Sequence, residues 1–119
     1  MRTLNTKVVD AAANATGNSS AVDAALFYSA SVIGVFSDVA TTGTLKVQAS
    51  NDFTDAGNVA DNFVPTNWVD IPLATVAVTA GGVVLVPMPL NFSFRWLRAV
   101  WTRTAGAGTY TVLLNSQGF

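Results

Sequence analysis

At 119 residues the chain is long enough for one domain with its own hydrophobic core and leaves no material for a second. Half of the residues are apolar and only 11% are charged, far below the roughly 25% of an average soluble domain, so much of the surface must be uncharged, as suits a subunit packed against neighbours. Six Lys and Arg against seven Asp give a net charge of −1, which excludes the basic footprint of a protein that grips phosphates, and no nucleic-acid partner is expected.

The chain has no Cys, no His and no Glu. Disulfides and thiolate metal sites are thereby excluded, and so is the side chain that most often serves as general base. The remaining titratable groups are Asp, Lys7, Lys46 and two Tyr, and they form no paired motif, so neither an enzyme nor a cofactor is expected. Arg2 and Lys7 are not followed by a continuous apolar run, so the start does not read as a secretory signal. No apolar run approaches the roughly 18 to 20 residues that span a bilayer, and a soluble chain without a membrane partner is expected.

Residues 1–20 are rich in Ala, Asn, Thr and Ser, with Leu4, Val8 and Val9 as the sizeable apolar anchors. They are expected to form an arm or an edge strand, with residues 21–119 as the folded domain. Ala21 to Phe27 and Ser29 to Phe36 allow one bent strand or two short ones. A helix over Ala21 to Phe27, capped by Ser20, competes, but the β-branched and aromatic run Val32 to Phe36 favours strand. Ser37 to Gly43 is a turn. Thr44 to Ser50 alternates cleanly, with Leu45, Val47 and Ala49 facing in and Thr44, Lys46, Gln48 and Ser50 facing out. Asn51 to Asn67 carries Asn and Asp broken by Gly57 and Pro65 and is long for a connection. Trp68 to Ile71 is a short strand closed by Pro72.

Thr75 to Thr79 and Val83 to Val86, around Ala80-Gly81-Gly82, predict a hairpin that Pro87 and Pro89 terminate. Phe94 to Arg103 and Thr109 to Leu114, around Gly106 and Gly108, predict a second and longer one. Its first strand is apolar on both parities, with Leu97, Ala99 and Trp101 on one and Phe94, Trp96 and Val100 on the other. Both faces should therefore be covered, one of them by another chain. Seven or eight short strands with Gly, Pro and Asn turns amount to an all-β, single-domain antiparallel β-sandwich of jelly-roll type with an N-terminal arm.

Three binding chemistries can be set against these elements. Asp52, Asp55 and Asp61 offer hard oxygen ligands suited to calcium, but the spacing is not that of an EF-hand and Asp is a default turn residue. No metal is expected. Trp68 beside Asn51 and Asp52 would suit a glycan, although a large aromatic is equally a core or interface residue. Arg98 shares a parity with Trp96 and Val100 and would sit in apolar surroundings unless it finds acceptors.

The segments Gly43 to Asp52, Asn67 to Ile71, Phe94 to Trp101 and Gly108 to Leu114 together resemble small virion proteins of tailed bacteriophages. They also look like the discoidin-like and carbohydrate-binding jelly rolls, in which Ser-Asn-Asp, here Ser50-Asn51-Asp52, precedes a Trp and an Ile, and an aromatic-Arg-aromatic-aliphatic-Arg strand follows. The chain lacks the paired cysteines common in secreted members of that second group. The virion resemblance implies a decoration or cement subunit on the capsid surface, made in the host cytoplasm, whose partners are the major capsid protein and copies of itself as a dimer or trimer. Trp96, Arg98 and Val100 on the strand, with Leu4, Val8 and Val9 on the arm, are the expected contact residues. The alternatives are a glycan-binding module of a tail fibre or spike, and a minor capsid or penton subunit of jelly-roll build.

Overall fold

The computed structural model describes residues 2–53 and 63–118, with side chains from Asn5 onward. Nine strands and no helix occur among the described residues: β1 (Arg2–Ala12), β2 (Gly17–Asn18), β3 (Val22–Asp23), β4 (Phe27–Phe36), β5 (Thr42–Ser50), β6 (Val69–Val78), β7 (Gly82–Val86), β8 (Trp96–Ala105) and β9 (Thr109–Gly118). They build two antiparallel sheets. The front sheet runs β1-β9-β4-β7, and the back sheet runs β2-β8-β5-β6 with β3 also on β8.

The two short strands pair successive stretches of β8, Asn18 with Val100 and Val22 with Leu97. Ser19 bridges the gap, its N–H donating to the Ala99 carbonyl and its hydroxyl accepting from the Ala99 N–H. Counted together they are one interrupted strand, and every consecutive pair of strands except β5–β6 is then divided between the sheets. That wrapping is the jelly roll.

The same wrapping overturns both predicted hairpins. Phe94 to Arg103, from Trp96 onward, and Thr109 to Leu114 do form strands, but β8 lies in the back sheet and β9 in the front one. The turn between them, with Gly106 at φ 91° and Gly108 at φ 77°, carries the chain across the sandwich. A side chain at Gly106 would also strike the Thr41 backbone at 2.5 Å. The segments flanking Gly81 and Gly82 are divided likewise between β6 and β7. Trp68 to Ile71 and Thr75 to Thr79 belong to one strand: β6 continues through Pro72, and Ile71 to Ala74 bulge out between the pairs Lys46–Thr75 and Gln48–Asp70.

The inward parities of the two sheets make the core. Leu45, Val47, Ala49, Leu97, Ala99 and Trp101 of the back sheet meet Val32, Phe36, Val86, Tyr110, Val112 and Leu114 of the front sheet. Trp101 is fully buried, 4.7 Å between ring centroids from Phe36 and 5.8 Å from Tyr110, and its indole N–H donates to the Ala13 carbonyl. Gly34 keeps the sheets close, since a Cβ there would lie 2.6 Å from the Leu45 side chain. Burial raises the Tyr110 phenol above its usual pKa.

Candidate functional site

With the inner faces committed to the core, function has to be sought on the two outer faces, the strand edges and the loop ends. The back sheet turns Trp96, Arg98 and Val100 outward from β8, Lys46 and Gln48 from β5, and Asp70 from β6. Register aligns Arg98, Gln48 and Asp70 in one row across three strands. The row is knit together. The Arg98 guanidinium donates through Nε and Nη2 to the Gln48 amide oxygen at 2.8 and 2.6 Å, the Gln48 amide nitrogen donates to Asp70 at 2.8 Å, and Lys46 pairs with Asp70 at 3.1 Å.

Gln48 and Lys46 hold the Asp70 carboxyl below its usual pKa, and desolvation lowers that of Arg98. The guanidinium also lies 4.5 Å over the Trp68 ring, whose N–H donates to the Pro65 carbonyl. Thus Arg98 answers its apolar neighbourhood with an amide acceptor and an aromatic face. Lys46 and Asp70 neutralise each other, while the Arg98 charge is met by the Gln48 amide oxygen and the Trp68 face.

Trp96 and Val100 are only 7% and 8% exposed within a single chain. Phe63 packs on the Trp96 ring at 6.0 Å, Arg95 lies over it at 4.5 Å, and its N–H donates to the Asp52 carbonyl. The apolar parity from which a partner chain was inferred is therefore buried within a single chain, Trp96 in part by Phe63 and Asp52 of the β5–β6 connection. On β1, Val8 and Val9 are half-buried against the protein's own core. Leu4 stands opposite Ser116 in the β1–β9 ladder, and its side chain lies outside the described ones.

The front sheet is different. Its inward residues Val32, Gly34, Phe36, Val84, Val86, Val112 and Leu114 fill the core, which leaves the opposite parity of β4, β7 and β9 facing out. Ile33 stands between Leu85 and Leu113, and Val35 stands beside Val83. These five form a continuous apolar stripe across three strands, exposed by 37% (Ile33), 37% (Val35), 43% (Leu113), 61% (Leu85) and 70% (Val83). A shallow depression of about 280 Å³ joins Ile33 and Leu113 to a rim of Asn5, Lys7, Ser31 and Asn115. The rim's Lys7 already pairs with Asp10. Scattered exposed apolar residues are ordinary; this contiguous patch is the candidate contact surface. Ile33 and Val35, two positions apart in a strand, share one parity in the sequence; Val83 to Val86 is apolar on both parities, so its periodicity does not say which residues face out.

At one end of the sandwich, Phe27, Tyr28, Phe53, Phe92 and Phe94 line an open groove of about 540 Å³ with Asn51 and Arg95. Asn51 accepts the Arg95 N–H at 3.0 Å, and the Arg95 guanidinium pairs with Asp23. Asp52 has a fastening role: its carboxylate accepts the N–H groups of Thr66 and Asn67 at 2.7 and 2.9 Å and the Asn67 amide at 3.0 Å, which lowers its pKa. The Trp68 ring lies under the Arg98 guanidinium, while Asn51 and Asp52 line a depression with Asn67 and Phe94. Asp55 and Asp61 lie outside the described residues, among which no group of three acidic side chains converges.

No family model and no curated protein matches the chain. Among solved structures it is similar to the crystal structure of the SPBc2 prophage-derived protein YomS, at a TM-score of 0.53 and 10% identity, over 97% of this chain and 92% of that one. A likeness so complete in coverage and so low in identity is one of fold: both chains are β-sandwiches of the same overall course.

Proposed function

We propose that the chain is a non-enzymatic structural subunit of a phage particle, a decoration or cement protein that binds across junctions of the major capsid protein and to copies of itself on the capsid surface. The observation that carries this reading is the apolar stripe of Ile33, Val35, Val83, Leu85 and Leu113, which a single chain leaves in water. Cementing requires burial and shape rather than chemistry, and at roughly 25 cal/mol per Å² a modest apolar contact repeated over many copies becomes a large total. The fold shared with a prophage-derived protein supports a phage setting, as does the resemblance of the strand segments to small virion proteins. The contact surface differs from the one inferred from sequence, since Trp96 and Val100 are closed by their own chain.

Electron microscopy of the particle carrying the protein tests this reading. Density for the sandwich at symmetry-related positions on the shell, front sheet toward the major capsid protein, is the expected result. Density on the tail, or none, would overturn it.

A second reading is favoured by the aromatic groove. Its volume lies within the range of small-ligand sites, and exposed Phe53 beside Asn51 and Arg95 offers a stacking face with polar neighbours, as a glycan-binding module requires. Retention on a polysaccharide column that Phe53→Ala abolishes, by a protein that ignores capsids, would replace the first reading by this one.

A further inference from the structure

Of the strand edges among the described residues, one is undefended. Edge strands are usually blunted by charge, proline, a bulge or brevity, because their free N–H and C=O groups invite another strand. β1 carries Lys7, Asp10 and a break in register between Lys7 and Val9. β6 carries Asp70, Pro72 and its bulge, while β2 and β3 are two residues each. β7, with the sequence Gly82-Val83-Val84-Leu85-Val86, has no charge, no proline and an unbroken register on β4.

The direction of its backbone groups follows from its neighbour. The Ser37 N–H donates to the Thr109 carbonyl on the β9 side of β4, and the Tyr28 carbonyl accepts from Phe92 on the other side. Because these groups alternate along a strand, Val32, Gly34 and Phe36 bond β7, and their partners are Val86, Val84 and Gly82. Val83 and Leu85 therefore point their N–H and C=O groups to the open edge.

The geometry points to a second copy of this chain as the occupant of that edge, joined β7 to β7 in antiparallel fashion about a two-fold axis at Val84. In this register Val83 of each copy faces Leu85 of the other, so the four outward N–H groups and their carbonyls satisfy one another. Pro87 disfavours the shifted register centred on Leu85, which would put a residue without an N–H opposite Val83. The two front sheets become one sheet of eight strands, and the two apolar stripes run on into each other. Pairing through the edge leaves both stripes on the outer face of the joined sheet, so the dimer rests on the four backbone bonds and the contacts along β7, and it presents one apolar surface of twice the extent. The dimer thus deepens the self-association in the reading above, while its formation in solution does not depend on capsid binding.

Analytical ultracentrifugation at micromolar concentration, combined with two cysteine variants, tests the pairing. The expected results are a dimer for the unaltered protein and a monomer for Leu85→Pro, which removes only an edge N–H, with an unchanged circular dichroism spectrum. Val84→Cys should form an interchain disulfide under mild oxidation, because directly opposed residues of this type stand about 4.5 Å apart at Cα, within disulfide reach. Val83→Cys, two residues out of register with its own copy, should not. A monomeric unaltered protein overturns the dimer, including the case in which β7 becomes protected only on capsids, which would assign the edge to a capsid strand. A dimer indifferent to Leu85→Pro and not cross-linked through Val84→Cys overturns it as well. Capsid binding by a monomer would leave the cement reading standing, so the two failures are distinguishable.

Discussion

The outward residues of β8 on one sheet and of β4, β7 and β9 on the other both include apolar side chains, yet the first set is closed and the second open. On the back sheet, Trp96, Arg98 and Val100 are covered or compensated within the chain: Phe63 and Arg95 lie on Trp96, and Trp68 and Gln48 engage Arg98. On the front sheet, Ile33, Val35, Val83, Leu85 and Leu113 stay exposed, with Asn5, Lys7, Ser31 and Asn115 at the rim beside Ile33 and Leu113. The difference comes from the connections. Phe63 and Trp68, from the described part of the β5–β6 connection, lie on the back sheet, whereas no described connection packs on the outward residues of the front sheet, which stay exposed. An apolar strand face is evidence of a cover, and the connections decide whether the cover is internal.

The largest effect expected from breaking this contrast is on the closed side. Trp96→Ala removes a buried ring and the bond to Asp52, and should cost about 3 kcal/mol or more in urea unfolding. A loss below about 1 kcal/mol would mean that the ring is not closed in. On the open side the effect should move from stability to association. Ile33→Ser should change unfolding by about 1 kcal/mol or less while weakening co-sedimentation with capsids about tenfold or more. Equal capsid binding by this variant would remove the stripe from the contact.

Arg98→Ala comes next, with an expected loss of about 1 to 2 kcal/mol from the Gln48 bonds and the Trp68 face together. Arg98→Lys should recover only part of it, because an ammonium cannot reproduce the two-pronged donation to Gln48.

The smallest effect is that of acid. Asp52, Asp70 and Asp38 all have lowered pKa values: backbone N–H groups hold Asp52 and Asp38, while Gln48 and Lys46 hold Asp70. A carboxyl whose pKa is lower in the folded chain contributes stability that is complete above the unfolded value near 4 and is lost as pH falls through the folded value. The melting temperature should therefore drop on acidification below about pH 4, and Asp52→Asn should flatten that decline. An acid response unaltered by Asp52→Asn would show that its clamp on Thr66 and Asn67 does not contribute.

Strand character, the turns and the inward parity of Leu45, Val47 and Ala49 were legible in the sequence because they depend on neighbours two or three positions apart. So was the double burial of the strand from Trp96 to Trp101. Its meaning was not legible. The groups that close Trp96 and engage Arg98 come from Phe63, Trp68 and Gln48, distant in sequence, and nothing in the periodicity of β8 states which chain supplies them. The hairpins failed for a related reason: a Gly-containing turn between two apolar segments serves a ladder or a crossing between sheets equally well. The candidate site was half visible. Ile33 and Val35 could be placed on one parity, but their union with Val83, Leu85 and Leu113 required the β4–β7 and β4–β9 registers.

By itself, then, the amino-acid order determined the class of structure and excluded the chemistries that need His, Cys, Glu or excess positive charge, since these depend on residue identity and short-range pattern. The tertiary structure alone decided which strands became neighbours, which of two apolar faces was sealed, and which edge was left with free backbone groups. Those outcomes belong to contacts between residues far apart in the chain.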